Sequence, residues 1–339
     1  MKSKMNIIIP MAGRGSRLRP HTLLTPKPLL PIAGKPIVKR LVEDISQTVG
    51  GELDQIAFII GDFGLEVEEM LLGVAKEVGA EGLILHQNEP LGTAHAIYCA
   101  KEILKGPIVV AFADTLFRAK FELDLTSDAV IWVSKIKNPE AFGVVKLDSQ
   151  GAIEGFVEKP KKFISDLAII GIYYFKEGRI LKNELEYILE NNIKKGGEYQ
   201  ITDALENMQN NGLKLTTGKV DSWMDCGNKE AMIITNTNVL EFEKDRVQQE
   251  PENLILQNSE IIEPCFIASN VTIINSTVGP NVSIYEDCKI DNCHIQNSII
   301  REKSTLKNLN LDYSMIGMNV TADSEYRSLD LGDFSRLQG

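Results

Sequence analysis

The chain has 339 residues, 43% hydrophobic and 24% charged, enough for about two domains with buried cores. Its net charge of -11 argues against a general nucleic-acid or membrane-surface binder, which needs a basic face, and no run approaches the length of a membrane span. Five cysteines (Cys99, Cys226, Cys265, Cys288 and Cys293), odd in number and without C-x-x-C spacing, indicate packed, reduced thiols rather than disulfides or a zinc site; the apolar run from Ile7 is too short for a signal peptide, so a cytoplasmic protein is expected.

Apolar runs suited to buried parallel strands recur at Asn6–Pro10, Gln55–Ile60, Gly82–His86 and Ile108–Phe112. Between them Pro36–Thr48, Leu65–Val78 and Thr93–Leu104 carry apolar residues at three-to-four spacing, as amphipathic helices do. This alternation predicts an α/β fold with a mostly parallel, Rossmann-like sheet, whose ligand site lies beyond the carboxyl ends of the strands. From Ala129 to Phe175 the pattern becomes strand-rich, and Glu177–Asn192, Thr202–Asn211 and Asn228–Arg246 then read as helices. The polar stretch Gln248-Gln249-Glu250-Pro251 marks a boundary, giving domains 1–248 and 249–339.

Beyond that boundary aliphatic residues fall at Ile261, Ile267, Ile273, Val278, Ile284, Ile290, Ile295, Ile300, Leu306, Leu311 and Ile316. Their spacing of six or five residues fits neither a helix nor a meander and predicts a parallel β-helix of roughly three coils, one aliphatic side chain per face pointing inward. An irregular sandwich of short strands is the alternative.

Positive charge is local. The first 42 residues hold nine Lys or Arg and no acid, where an even spread of 47 acids would place about six. Most of that charge lies in or around "PMAGRGSRLRPHTLLTPKPLLPIAGKP", which follows the first strand. The Walker pattern fails because Gly34-Lys35 is followed by Pro36, and the dinucleotide pattern fails at Leu18. What remains is a glycine turn whose amides can face an anion, then Arg14, Arg17, Arg19 and Lys27 on a segment that Pro20, Pro26, Pro28 and Pro31 keep extended.

That segment resembles the N-terminal signature of the sugar-1-phosphate nucleotidyltransferases, or NDP-sugar pyrophosphorylases. The resemblance continues, in the family's order, through "QNEPLGTAHAI", "FADTLF", "FGVV", "VEKP", "GIYYF", "GEYQITDAL" and "WMDCG". Eight ordered motifs over about 220 residues are specific where one would be weak. The hexapeptide region is similar to the left-handed β-helix that longer members carry. The resemblance implies nucleotidyl transfer from a nucleoside triphosphate to a sugar-1-phosphate, most closely as in glucose-1-phosphate thymidylyltransferases, with Mg²⁺ as cofactor; the β-helix reads as an oligomerisation surface, so a homo-oligomer is expected.

By motif position, the resemblance implies Arg17, Lys27, Asp114, Lys159 and Asp225 as catalytic, with Asp114 and Asp225 holding the metal. Met11, Ala12, Gly13, Arg14, Gly15 and Ser16 would wrap the nucleotide, and Gln87, Gly92 and Thr93 would read its base. Gly143, Glu158, Lys159, Gly171 and Tyr173 would receive the sugar phosphate. Glu158 and Lys159 are neighbours, so both reach one ligand only where the chain bends. His95, on a predicted helix, reads as a packing or helix-face residue rather than a catalyst. Two departures leave the base and sugar open: Arg14 replaces a second glycine, and Gly196, beside Lys194 and Lys195, stands where short thymidylyltransferases have an Arg. A guanylyltransferase, a uridylyltransferase, a non-catalytic regulatory subunit and acyl transfer on the β-helix remain alternatives.

Overall fold

Met5–Pro10 (β1) is buried at every residue, as an apolar run must be when strands flank it on both sides and helices cover both faces. The computed structural model describes residues 4–13, 15–48, 52–119, 126–245, 251–324 and 328–338. Contacts divide the chain into two compact units, Met1–Gly13 with Val38–Trp223, and Arg14–Ile37 with Met224–Gly339.

In the first unit β1 pairs in parallel with Leu53–Ile60 (β2) on one side and Ile108–Ala111 (β4) on the other, and Glu81–His86 (β3) extends the sheet beyond β2. The helices Ile37–Thr48 (α1), Leu65–Glu77 (α2) and Thr93–Tyr98 (α3) connect these strands, each close to its sequence expectation except α3, which gives way to turns after Tyr98. The strand-rich stretch supplies Ala129–Lys135 (β5), Gly143–Leu147 (β6), Ile153–Glu158 (β7) and Leu167–Phe175 (β8). These pair largely antiparallel: β8 lies beside β4, β5 and β6, and β7 beside β6. Gly178–Glu190 (α4) and Ile201–Asn210 (α5) follow, and Leu215–Lys219 (β9) runs parallel to β5. The sheet has nine strands among the described residues, ordered β7-β6-β8-β4-β1-β2-β3 along its main path. Its core joins Ile8, Ile59, Val110 and Ile131 to Leu181 and Leu205 of the covering helices.

In the second unit Lys229–Glu243 (α6) starts at Asn228, whose Oδ1 accepts the Ala231 N–H at 2.9 Å and so satisfies a first-turn donor. Short strands then stack in three parallel sheets of six, four and five strands among the described residues. The expected aliphatic residues form the columns. Leu256, Ile273, Ile290, Leu306, Ala322 and Leu337 lie over one another on one face, and Ile261, Val278, Ile295 and Leu311 on the second. Ile267, Ile284, Ile300, Ile316 and Leu331 stack on the third. This is a parallel β-helix, consistent with the left-handed type expected. It has more coils than the three anticipated, because the first and last coils carry exposed or irregularly spaced aliphatics that drop out of the count. Corners are turned by Asn258, Asn275, Asn292 and Asn308 in left-handed conformation, which Asn tolerates best after Gly. Asn292 donates to Asn308 and Asn308 to Asp323, both at 2.7 Å, so corner amides also bridge successive coils. Burial pushes the Cys265 and Cys288 thiols up to about 12, as expected of inert packing residues. Among the described residues no helix is long and apolar enough to cross a membrane.

Because Ile290 is 1% exposed within a column that continues above and below it, Ile290→Ala should lower unfolding free energy by about 2–5 kcal/mol in a denaturant titration.

Candidate functional site

β1 to β4 are mutually parallel, so their carboxyl ends share one sheet edge. The strand order reverses there: β2 and β3 lie on one side of β1 and β4 on the other, the switch point at which such sheets leave a crevice. Met11, Ala12 and Gly13 leave β1 at this edge, the Met11 amide donating to the Ile59 carbonyl at 2.8 Å. Gln87 follows β3, tied by its own amide to the Ile60 carbonyl at 2.9 Å, and Asp114 follows β4.

Gln87 has a fixed orientation. Its Nε2 donates to the Gly92 carbonyl at 3.1 Å and lies 3.0 Å from His95 Nδ1. A carbonyl can only accept, so the amide turns its NH₂ toward Gly92; His95 Nδ1 then accepts the second hydrogen and carries its own proton on Nε2. The Gln87 Oε1 is thereby presented as an acceptor. Burial lowers the His95 pKa against the opposing pull of Glu89, which keeps the ring neutral and able to accept. His95 is thus a helix-face residue that orients Gln87, a contact the sequence did not single out.

Gly92 has φ +113, and a Cβ there would lie 2.4 Å from the Tyr199 carbonyl oxygen, so no side chain fits. Thr93, the first residue of α3, donates to Gln200 Oε1 at 3.2 Å and accepts the Ile201 N–H at 3.0 Å. The "GEYQITDAL" segment therefore braces "LGTAHAI" across more than a hundred residues, a contact no local pattern encodes.

Phe112 donates its N–H to the Gly171 carbonyl at 2.9 Å, and Gly171, with φ +80, packs against the Phe112 side chain, whose Cβ would lie 3.3 Å and ring 3.4 Å from a Cβ placed there. Asp114, two residues on, is half-buried. Gly143 lies opposite Glu158 in the β6–β7 pairing, and a Cβ on it would come within 2.9 Å of Glu158 Oε2. Lys159 has φ +43, which supplies the bend that the Glu158-Lys159 pair requires, and its Nζ lies 3.6 Å from Glu158 Oε1. Burial pushes the Glu158 carboxyl up, Lys159 draws it down, and Asp203 and Glu198 add to the rise. Tyr173 is buried, its hydroxyl pushed up by burial and then by the Glu158 charge. Asp203 was not singled out by sequence: it is 4% exposed and pairs with Lys195 Nζ at 2.6 Å. Lys195 therefore brings a cation to the neighbourhood where an Arg is lacking at Gly196.

In the second unit Gly15 has φ +59, and a Cβ there would fall 2.9 Å from Lys27 Cβ, so this glycine lets the basic segment fold back on itself. Ser16 and Arg17 are exposed on the 3₁₀ turn Ser16–Leu18, and Lys27 is half-buried at the start of the turn Lys27–Leu29. Asp225 is half-buried, its Oδ1 accepting the Gly227 N–H at 3.0 Å and its carbonyl accepting from Thr235 Oγ1 at 2.7 Å. Arg14 and the boundary at residue 248 lie outside the described residues.

The nucleotidyl transferase family model matches residues 6–241, from β1 into α6, a span that takes in all eight motifs from the opening basic segment to "WMDCG". The chain belongs to the nucleotidyl transferase family. It is 28% identical to a glucose-1-phosphate thymidylyltransferase of Streptomyces antibioticus over 98% of this chain and 99% of that one. It is likewise 28% identical to the low-salt glycan biosynthesis nucleotidyltransferase Agl11 of Haloferax volcanii, over 98% and 100%. A solved Bacillus anthracis structure assigned as a glucose-1-phosphate thymidylyltransferase superposes with a TM-score of 0.61 at 25% identity, over 73% of this chain and 98% of that one. The nucleotidyl transferase motifs thus sit on the carboxyl edge of the sheet, in the 143–203 region of the first unit, and on the basic loop and Asp225 of the second.

In this nucleotidyl transferase the Glu158 carboxyl should titrate above the ordinary carboxylate range. Lys159→Ala removes the one neighbour that draws it down, so its midpoint should rise further, which carboxyl-carbon NMR titration would show directly.

Proposed function

We propose that this enzyme transfers a nucleotidyl group from a nucleoside triphosphate to a sugar-1-phosphate, as a glucose-1-phosphate thymidylyltransferase. Near full-length similarity to an enzyme of that name carries the reading. The Gln87 acceptor supports it, because thymine and uracil present an imino N–H where cytosine presents a lone pair. A guanine N1–H meets the same test, so a guanylyltransferase is the neighbouring alternative.

In the reaction a phosphate oxygen of the sugar attacks the α-phosphorus and pyrophosphate leaves. Two polyanions must approach; a single charge pair at 4 Å costs about 1 kcal/mol even in a water-like dielectric and more in a drier site. Arg17 and Lys27 hold the triphosphate and stabilise charge on the leaving pyrophosphate, an electrostatic role that needs no covalent intermediate. Met11 to Ser16 wrap the nucleotide with backbone amides, and Gly92 and Thr93 seat its base. Lys159 neutralises the sugar phosphate, Glu158 accepts sugar hydroxyls, and Gly143, Gly171 and Tyr173 shape their surroundings. Asp114 and Asp225 fit Mg²⁺: they are half-buried hard oxygen donors, and two carboxylates are what the ion takes from protein when phosphates complete its shell. When bound, the ion would offset charge on the phosphate oxygens. We assign residues 1–248 to catalysis and 249–339 to the β-helix domain, in a cytoplasmic homo-oligomer, a state that light scattering would measure.

Pyrophosphate release measured for four triphosphates against a panel of sugar-1-phosphates with Mg²⁺ tests the reading. The thymidine pair should be fastest, and nucleotide binding without release from any pair would make the chain a regulatory subunit. Asp114→Asn and Asp225→Asn should each lower kcat by about two orders of magnitude, roughly 3 kcal/mol of barrier, with unchanged melting. Arg17→Ala should impair turnover with Arg17→Lys only partly restoring it, and Lys159→Ala should chiefly raise the sugar-1-phosphate KM, by about 1.5–3 kcal/mol in binding. His95→Ala should raise the triphosphate KM by about 0.5–1.5 kcal/mol with little change in kcat, and His95→Asn, which keeps an acceptor near Nδ1, should recover most of it.

A further inference from the structure

The basic loop belongs to the same compact unit as the β-helix, separated from it by two hundred residues of chain. From Gly15 to Pro36 its elements are two three-residue 3₁₀ turns and a hairpin of two-residue strands. Such a segment buries little of its own and would lose roughly 1–2 kcal/mol of backbone entropy per ordered residue, so something outside it must hold it. Its internal bonds, such as Thr22 Oγ1 to the Gly15 carbonyl at 2.7 Å and the Leu30 N–H to the Lys27 carbonyl at 3.0 Å, are short-range turns that do not fix the segment as a whole.

One sheet of the β-helix, with α6 beside it, meets the segment along most of its length. Its strands are Cys265–Ile267, Val282–Ile284, Ile299–Ile300, Met315–Ile316 and Asp330–Leu331, and the residues that meet the loop lie on or next to four of them. His21, 1% exposed, places Nε2 2.6 Å from Asp330 Oδ1. Pro20 packs on Gly332, where a Cβ would meet it at 2.6 Å. Arg301 Nη1 donates to Thr25 Oγ1 at 3.0 Å. The Gly34 N–H donates to the Tyr285 hydroxyl at 3.0 Å, and the Phe266 ring fills the space of a Gly34 side chain. The Ala33 N–H donates to Asn236 Oδ1 of α6, itself fixed by the Ser283 hydroxyl at 2.7 Å.

Arg301 is the most telling of these. Its side chain is only 8% exposed, and Glu302 meets it twice, Nη2 to Oε1 at 3.0 Å and Nε to Oε2 at 3.3 Å. With Nε and Nη2 taken by Glu302, Nη1 is left; it donates to the hydroxyl two residues before Lys27 and lies 3.9 Å from Asp333 Oδ1. His21 lies four residues after Arg17. The anchors thus flank Lys27 on both sides and begin three residues after Arg17, which itself stays exposed.

Building on the proposed function, we propose that the β-helix is the seat of the triphosphate loop: Arg301, Tyr285 and Asp330 are positioning residues that hold the segment carrying Arg17 and Lys27. The β-helix then serves nucleotide binding within its own chain, whatever it also does between copies.

The test uses full-length Arg301→Lys, Thr25→Val and Tyr285→Phe, the last two losing a single hydroxyl each. Amide hydrogen exchange over residues 20–34 should accelerate at least tenfold in Arg301→Lys and Thr25→Val, and detectably in Tyr285→Phe, while residues 53–60 exchange as in the wild type. The triphosphate KM should rise severalfold with the sugar-1-phosphate KM unchanged, and Arg301→Lys with Thr25→Val together should be no worse than Arg301→Lys alone, since both lose the Arg301–Thr25 contact. Wild-type exchange in all three variants would overturn the proposal, as would equal losses toward both substrates. Exchange is read without turnover, so an inactive wild type would sink the proposed reaction while leaving the seating of the loop decided on its own evidence.

Discussion

Everything in the first unit hangs on parallel pairing around β1. Ile7, Ile8 and Ile9 are fully buried and the strand is hydrogen-bonded from both sides, so its direction fixes where β2, β3 and β4 end. Parallel strands cannot be joined by tight turns, and the helices that return the chain cover the faces. At the carboxyl edge the loops that leave these strands gather side by side without being buried. Gln87 and Asp114 come there from different strands because the strands are parallel.

On that scaffold the finer geometry is set by backbone conformations few residues tolerate. Gly92, Gly171 and Lys159 all have positive φ, and each turns a neighbour: Gly92 brings the chain onto Tyr199, Gly171 bends β8 beside Phe112, and Lys159 swings its ammonium toward Glu158. The cost of a non-glycine residue in that region is of order 1–3 kcal/mol, which surrounding packing must offset. Pro160 is buried and the Lys159 N–H bonds the Phe142 carbonyl at 3.1 Å, so the bend at Lys159 is held on both sides.

The same division of labour runs through the second unit. The β-helix is regular because inward aliphatics repeat, and regularity makes it a stiff wall. The basic segment is irregular because prolines and a left-handed glycine deny it long-range regular structure. A regular wall beside a segment that cannot stiffen itself explains why a buried polar anchor such as Arg301 is worth its desolvation, since Glu302 and the Thr25 hydroxyl both meet its guanidinium.

Much of this was legible in the sequence. Runs of four to eight apolar residues alternating with three-to-four spacing give parallel strands and helices because side-chain periodicity is local, and the six-residue aliphatic repeat gives the β-helix for the same reason. The motif order marked Gly15, Gln87, Gly92, Gly143, Glu158 and Lys159, and the need for a bend at Lys159 followed from strand alternation alone. Other features depend on chain segments a hundred or more residues apart. Thr93 on Gln200, Thr25 on Arg301 and His21 on Asp330 exist only once sheet and β-helix are built, since no spacing along the chain encodes which surface a side chain will face. Lys195 on Asp203 and His95 on Gln87 span only eight residues each, yet their meeting depends on how a turn is folded, which the tertiary structure decided by closing each pair in space.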